Sequence, residues 1–393
     1  MRSSALFRRF QGSYFSYVLV YFCAYFAMAS FVSILSVYLT GIGKTGSEMS
    51  FIISASGIFS FFMVPAAGFL CDRTGRSRLI SAVLLMAMGL LALVFSGCRQ
   101  VWALFLLEGL LMSCLNSALP ACERLAAATK FRYGVLRIWG TVGYAAGAQA
   151  AGLAIQHFPP IVLFSLVFLS TLLAALGLAG AEDPIQPEPA APREEQKKPP
   201  LSSFLKKPQF LLFLLIAFLF YSCSGVNFNY AAFLLDTMGV PTGAVGTVLS
   251  VGTLVEIPII LFSNKFMDRF SGKNLLLACC VINLVQFLCY GLTGSAWVVV
   301  TAMILLKAIG ATLFMMLILK IVRNLVEAEL TVTGISVVNS ITNLGVIVMQ
   351  NIGGTILDRA GIQAFYLILA AVTAAAMLLT LPLRVKNTEK VFG

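Results

Sequence analysis

The sequence predicts an all-α membrane protein of twelve spans arranged as two pseudo-symmetric six-helix bundles. Three observations carry this. The 393 residues are 59% hydrophobic and only 11% charged, against roughly 25% charged in soluble domains. Apolar runs of the length needed to cross a hydrocarbon core of about 30 Å recur along the whole chain. A short charged pattern around Asp72 returns around Asp268. A spanning backbone must satisfy its own hydrogen bonds, so the runs are helices. The lack of strand-type alternation argues against a barrel.

The first run, at 14–40, is too long for a cleaved leader and reads as a retained helix. Spans at 47–71, 78–97, 101–124, 133–156 and 159–181 complete the first half. Residues 182–207 break the pattern with Pro184, Pro187, Pro189, Pro192, Pro199 and Pro200 among mixed charges, the composition of a solvated linker. The second half reads as spans at 209–235, 243–267, 274–294, 296–321, 331–357 and 362–384. The domain plan is a bundle over 1–181, a cytoplasmic linker over 182–207, a second bundle over 208–384 and a tail over 385–393.

The net charge of +11 reads as topology rather than nucleic-acid binding. Lys and Arg gather in alternate loops, at Arg73/Arg76/Arg78, Lys130/Arg132, Lys265/Arg269/Lys273 and Lys320/Arg323, and at both ends of the chain. By the positive-inside rule this places both termini in the cytoplasm, as in a multi-pass protein of the cytoplasmic membrane. The nine cysteines lack metal-ligand spacing and read as small apolar packing residues. No metal and no cofactor is expected. The lone His157 falls at the outer end of the fifth span. No GxxxxGK[ST] and no HExxH is present, which leaves no catalytic residue and argues against an enzyme or an ATP-driven pump.

Charges inside spans are the informative residues. Arg137 lies in an otherwise apolar stretch, where a guanidinium costs roughly 2.5–3.5 kcal/mol on insertion scales. It must face a partner or a watery cavity, and the nearest candidate is Glu123. A buried Arg–carboxylate pair beside an aromatic ring suits a solute rich in hydroxyls; an interfacial ion pair is the alternative. Arg137, Thr141, Tyr144 and Ala148 share one helical face, and Gly143 and Gly147 form a small-residue face for close helix contact. Tyr21 and Tyr25, one turn apart on the first span, are candidates for the same cavity. Glu256 and Lys307 fall at similar depth in the second half. They read as a proton-coupling pair, Glu256 carrying the proton and Lys307 tuning it, or as a neutralising structural pair. Asn339, Asn343 and Gln350 on the eleventh span, and Asn227 and Asn229 on the seventh, either line a cavity or bond between helices.

The halves echo each other. Gly68-Phe-Leu-Cys-Asp-Arg-Thr-Gly-Arg-Ser-Arg78 follows the second span, and Asn264-Lys-Phe-Met-Asp-Arg-Phe-Ser-Gly-Lys-Asn274 follows the eighth. The first resembles the loop motif between helices 2 and 3 of the major facilitator superfamily, and the second is its weaker copy. Within that superfamily the chain is most similar to lactose permease and the oligosaccharide–proton symporters. Asn116-Ser-Ala-Leu-Pro-Ala-Cys-Glu123 resembles the end of that family's helix 4. Tyr133-Gly-x-x-Arg137-x-x-Gly140-x-x-Gly143-Tyr144 resembles the start of its helix 5.

The resemblance implies a major facilitator fold and specific roles. Glu123 and Arg137 would bond sugar hydroxyls, Tyr144 would stack on the ring, and Met28 would lie near the sugar. Asp72 would lock the second span to the eleventh in one state of the cycle, with Gly68, Arg73, Gly75, Arg76 and Asp268 completing the gating motif. The chain departs from the family where the proton relay should be. The helix 10 positions read Lys307, Gly310 and Leu313, the helix 9 Arg reads Gln286, and the helix 8 Glu reads Thr253 with Glu256 one turn on.

The expectation is a monomeric secondary transporter in lipid, importing an oligosaccharide-like solute by alternating access with a proton as coupling ion. The candidate solute site is Glu123, Arg137, Tyr144, Met28, Tyr25, Asn227 and Asn343. A nucleoside or aromatic-acid importer, or a drug or metabolite exporter, stands as the alternative. The fifth span's lack of proline argues against the exporter.

Overall fold

A computed structural model describes residues 10–129, 131, 133–182, 207–262, 267, 269–326 and 330–385. No strand occurs among them. The helices in chain order are α1 (Tyr14–Val32), α2 (Leu35–Gly41), α3 (Gly46–Thr74), α4 (Ser77–Gly97), α5 (Val101–Ala127), α6 (Tyr133–His157), α7 (Pro160–Gly180), α8 (Pro208–Thr237), α9 (Thr242–Leu261), α10 (Gly272–Leu292), α11 (Ala296–Ala302), α12 (Ala308–Leu325) and α13 (Thr331–Thr380). A π-helical turn, Met303–Lys307, joins α11 to α12. Among the described residues ten helical stretches are long and apolar enough to cross a membrane. The fifty-residue α13 is broken at Gly361 (φ 79°, ψ 176°), between the eleventh and twelfth predicted spans. That backbone conformation strongly favours glycine.

Helix ends follow from local chemistry. The Ser13 hydroxyl accepts from the Ser16 N–H to cap α1, and Thr45 with Glu48 forms a capping box that opens α3. Gly75, at φ 66°, closes α3, donating its N–H to the Cys71 carbonyl. Pro160 and Pro208 start α7 and α8, where a missing N–H costs nothing.

The chain forms two compact units, Met1–Pro187 with Gly239–Leu254, and Glu188–Met238 with Val255–Gly393. In the first, α1 packs on α6 and α7, α3 on α5, and α4 on α5 and α7. Lipid tails offer helices no hydrophobic gain over one another, so association rests on close contact. Gly143 and Gly147 supply it. A Cβ on Gly143 would sit 2.2 Å from the Phe22 carbonyl oxygen, and one on Gly147 2.4 Å from that of Phe26. The start of α9 belongs to this unit as well: Ser250 Oγ donates to the Ala145 carbonyl at 2.6 Å. The domain plan read from sequence assigned all of 208–384 to the second bundle; the structure divides α9 at Leu254.

In the second unit α8 packs on α13, and α10 on α12 and α13. Its core gathers Phe210, Phe213, Phe220, Cys279, Cys280 and Phe314, with Phe220 stacked on Phe314 at 4.3 Å between centroids. The two cysteines pack as small apolar groups. Phe61, Phe62, Trp102, Trp297 and Met315 stand outward and exposed, an apolar surface that suits lipid rather than water.

Candidate functional site

In the first unit α1, α5 and α6 bring three predicted residues together. The Tyr25 hydroxyl donates to Glu123 Oε1 at 3.2 Å. Arg137 Nε lies 3.8 Å from the same oxygen, and each charged side chain is 39% exposed. The guanidinium carbon sits 4.5 Å from the centre of the Tyr25 ring, in cation–π geometry. Tyr21 stacks parallel on Tyr25 at 6.2 Å. Gly140 makes the room: a Cβ there would meet Arg137 Nη1 at 2.8 Å and the Tyr25 ring at 2.9 Å. The expectation of a buried pair is corrected here. The pair is half-exposed and loosely engaged, because Glu123 shares its oxygen with Tyr25. The guanidinium keeps N–H groups for a third partner.

Tyr144 and Met28 are half-buried on α6 and α1. Tyr144 lies two turns from Arg137 on the same helix.

The second unit holds the proposed coupling pair. Lys307 ends the π-helical turn, a kind of insertion often found at functional sites. Its Nζ lies 5.1 Å from the centre of the Phe228 ring, and Glu256 on α9 is within electrostatic range of it. The amides nearby are mostly engaged with their own bundle. Asn227 is 3% exposed, and its Oδ1 accepts from the Tyr366 hydroxyl at 3.1 Å. Asn229 donates to Gln350 Oε1 at 3.0 Å. Asn283 donates to Ser224 Oγ at 2.6 Å, and Gln286 to the Tyr290 hydroxyl at 2.9 Å. Asn339 and Asn343 are exposed while Gln350 is buried, so the polar stripe of the eleventh span divides between two environments. In this conformation Asn227 serves helix packing, and Asn343 is the amide left open.

Of the gating residues, Asp72 pairs with Arg124 of α5, and Arg124 also donates to Ser77 Oγ. Asp72 thus has a partner inside its own unit. Gly68, Arg73 and Arg76 are exposed, and Gly75 forms the tight turn. Asp268 lies outside the described residues.

Sequence reasoning overlooked Arg124 and read its counterpart, Lys320, only as loop charge. Lys320, 2% exposed, donates to the carbonyls of Met267 and Phe270. It lies 196 residues beyond Arg124, the interval separating Asp72 from Asp268. That shared interval was the available signal: each half carries a cation that braces the loop after its second helix. Glu108, a carboxylate in the middle of an apolar run, was also passed over. It is 1% exposed. Among the described residues no group of three or more metal-type ligands occurs.

Residues 14–368 match the family described as the MFS_1 like family. The maltose permease of Geobacillus stearothermophilus is 24% identical over 92% of each chain. The probable 3-phenylpropionic acid transporter of Escherichia coli (strain K12) is 27% identical over 71% of this chain and 75% of its own. The crystal structure of the nucleoside transporter NupG superposes with a TM-score of 0.81 at 15% identity, covering 94% of this chain and 98% of that one. The chain therefore belongs to the MFS_1-like family, and it is a multi-pass secondary transporter with the major facilitator fold rather than an enzyme.

Proposed function

We propose that the protein imports a small hydroxylated solute, oligosaccharide-like in chemistry, by alternating access in symport with a proton, across the cytoplasmic membrane and with both termini in the cytoplasm. The observation that carries this is the half-exposed Tyr25–Glu123–Arg137 cluster. A carboxylate accepts hydroxyl protons, a guanidinium donates to hydroxyl oxygens, and an aromatic face covers the C–H side of a sugar ring. A 3.8 Å gap between Arg137 and Glu123 leaves both able to turn to a solute, with Tyr144 and Met28 completing the contact. Glu256 carries the coupling proton in this reading. Lys307 sets how readily it is held, approaching the carboxylate in one state and leaving it in another. Asp72 and its loop motif gate the cycle in this reading. The monomer is the transporting unit.

Thermal-shift screening of the purified protein against sugars, nucleosides, aromatic acids and lipophilic cations tests the solute class, because a ligand that binds the folded state raises its midpoint by mass action. A shift with a di- or oligosaccharide that disappears in Arg137→Ala supports the proposal. A shift with lipophilic cations alone, unchanged in Arg137→Ala, sinks it in favour of an exporter. One observation favours a second reading, an aromatic acid: the guanidinium is only loosely engaged, so it can take a ligand carboxylate, and a relative at 27% identity is named for 3-phenylpropionic acid. A shift with that acid and none with sugars would select it. Uptake into proteoliposomes under an imposed pH gradient tests coupling, and full accumulation by Glu256→Gln would overturn the role given to that residue.

A further inference from the structure

Glu108 lies in α5, opposite α3, with 1% of its surface exposed. Its place follows from Gly109. A Cβ on that glycine would fall 2.5 Å from the Phe59 ring, so the missing side chain lets α5 close on α3 and presses Glu108 against it. Its carboxyl faces the Ser56 backbone of α3. Its Oε2 has no hydrogen-bond partner among the described residues.

Among the described residues no charge compensates it. On α3 the nearest charged residue, Glu48, is eight residues from Ser56, about 12 Å along the axis, and Asp72 is about twice as far. On α5 itself Glu123 and Arg124 lie four turns away, about 22 Å. Cys114 and Cys122 are the other titratable groups between them. Within α4 the one charged residue is Arg78, at its far end, and Arg99 beyond its near end is engaged with the Tyr38 hydroxyl and the carbonyls of Ser96 and Cys98. Helices α1 and α6 also pack against α5. They bring Tyr25 and Arg137 to its Glu123 end. An uncompensated carboxylate in such a place loses its hydration for nothing, whereas a carboxylic acid does not.

A polar seam leads to this group. Ser60 is one turn from Ser56 on α3 and accepts from Asn116 Nδ2 at 3.0 Å. Asn116 is two turns from Glu123 on α5. Ser56, Ser60 and Asn116 are all half-buried, in the stretch between a closed carboxyl and the open Tyr25–Glu123–Arg137 cluster. We propose that Glu108 is a second proton-binding carboxyl of this transporter, neutral in this conformation and exchanging its proton with water along the Ser56–Ser60–Asn116 seam. The step moves one H⁺ between Glu108 and water and changes no other bond. As a coupling site it rests on the proton-symport reading; as a proton site it does not.

Infrared difference spectroscopy on the full chain in liposomes tests it without any solute. The wild type should show the C=O stretch of a protonated carboxylic acid that shifts down in D2O. That band should vanish in Glu108→Gln, persist in Glu123→Gln and Glu256→Gln, and exchange more slowly in Asn116→Ala. An identical band in wild type and Glu108→Gln overturns the proposal, as does a band insensitive to D2O or an exchange rate unchanged by Asn116→Ala. Should Glu108→Gln not fold, Glu108→Asp decides: the band must move, and an unmoved band is fatal. Failure of every sugar to be transported would remove the importer reading and leave this result standing.

Discussion

Each unit places a cation over an aromatic ring, Arg137 over Tyr25 in the first and Lys307 over Phe228 in the second, yet the surroundings differ. Around Arg137 the polar groups are half-exposed and share acceptors, so bonding capacity is left over. Around Lys307 the amides of Asn227, Asn229, Asn283 and Gln286 are tied to neighbours in their own bundle. The first arrangement can exchange internal bonds for those of a solute. The second holds its shape and, in the proposed reading, varies through the Glu256–Lys307 pair. The difference in side chain fits this division, since a guanidinium forks onto hydroxyls and carboxylates while an ammonium is a point charge.

The sharpest way to break the comparison is to remove the two cations in parallel. Arg137→Ala forfeits charge-assisted hydrogen bonds of about 1.5–3 kcal/mol, so sugar binding should fall tenfold or more. Arg137→Lys should fall nearly as far, because it loses the fork. Lys307→Ala should leave the ligand-induced thermal shift intact and abolish accumulation against a gradient. Equal loss of binding in both, by titration of the thermal shift, would erase the division of labour.

The loop braces give a second contrast. Lys320→Ala removes the bonds of a buried ammonium to the carbonyls of Met267 and Phe270, a loss of about 1–3 kcal/mol. Arg124→Ala breaks an ion pair whose side chains are 43% and 69% exposed, a loss of about 1 kcal/mol at most. Thermal midpoints in one detergent should rank them in that order, and the reverse order would show the Asp72 pair to be the stronger anchor. A third test concerns the amides. Asn227→Ala strands the buried Tyr366 hydroxyl and should lower stability by about 1–2 kcal/mol, leaving solute affinity unchanged. A selective loss of affinity would return Asn227 to the solute site. The smallest effect belongs to Gly140→Ala, which crowds Arg137 and Tyr25 and should weaken binding a few-fold without a change in midpoint. No change in binding titration would mean the crowding relaxes freely.

Much of this molecule was legible before any coordinates. Length and apolarity of the runs determined that they are helices, since a membrane leaves the backbone no other way to bond. Gly143 and Gly147 were legible as a close-contact face because four-residue spacing puts them on one side of α6. Arg137 stood out because a charge in an apolar run needs a reason. What pattern did not carry was partnership. Whether the Glu123–Arg137 pair is buried or open, whether Asn227 faces a solute or Tyr366, and that Asp72 meets Arg124, all depend on which helices meet and at what height. Those are sums of many weak contacts between segments far apart in sequence. Glu108 is the clearest case: the sequence shows a carboxylate inside a span, and only the approach of α3 over Gly109 makes that carboxylate closed.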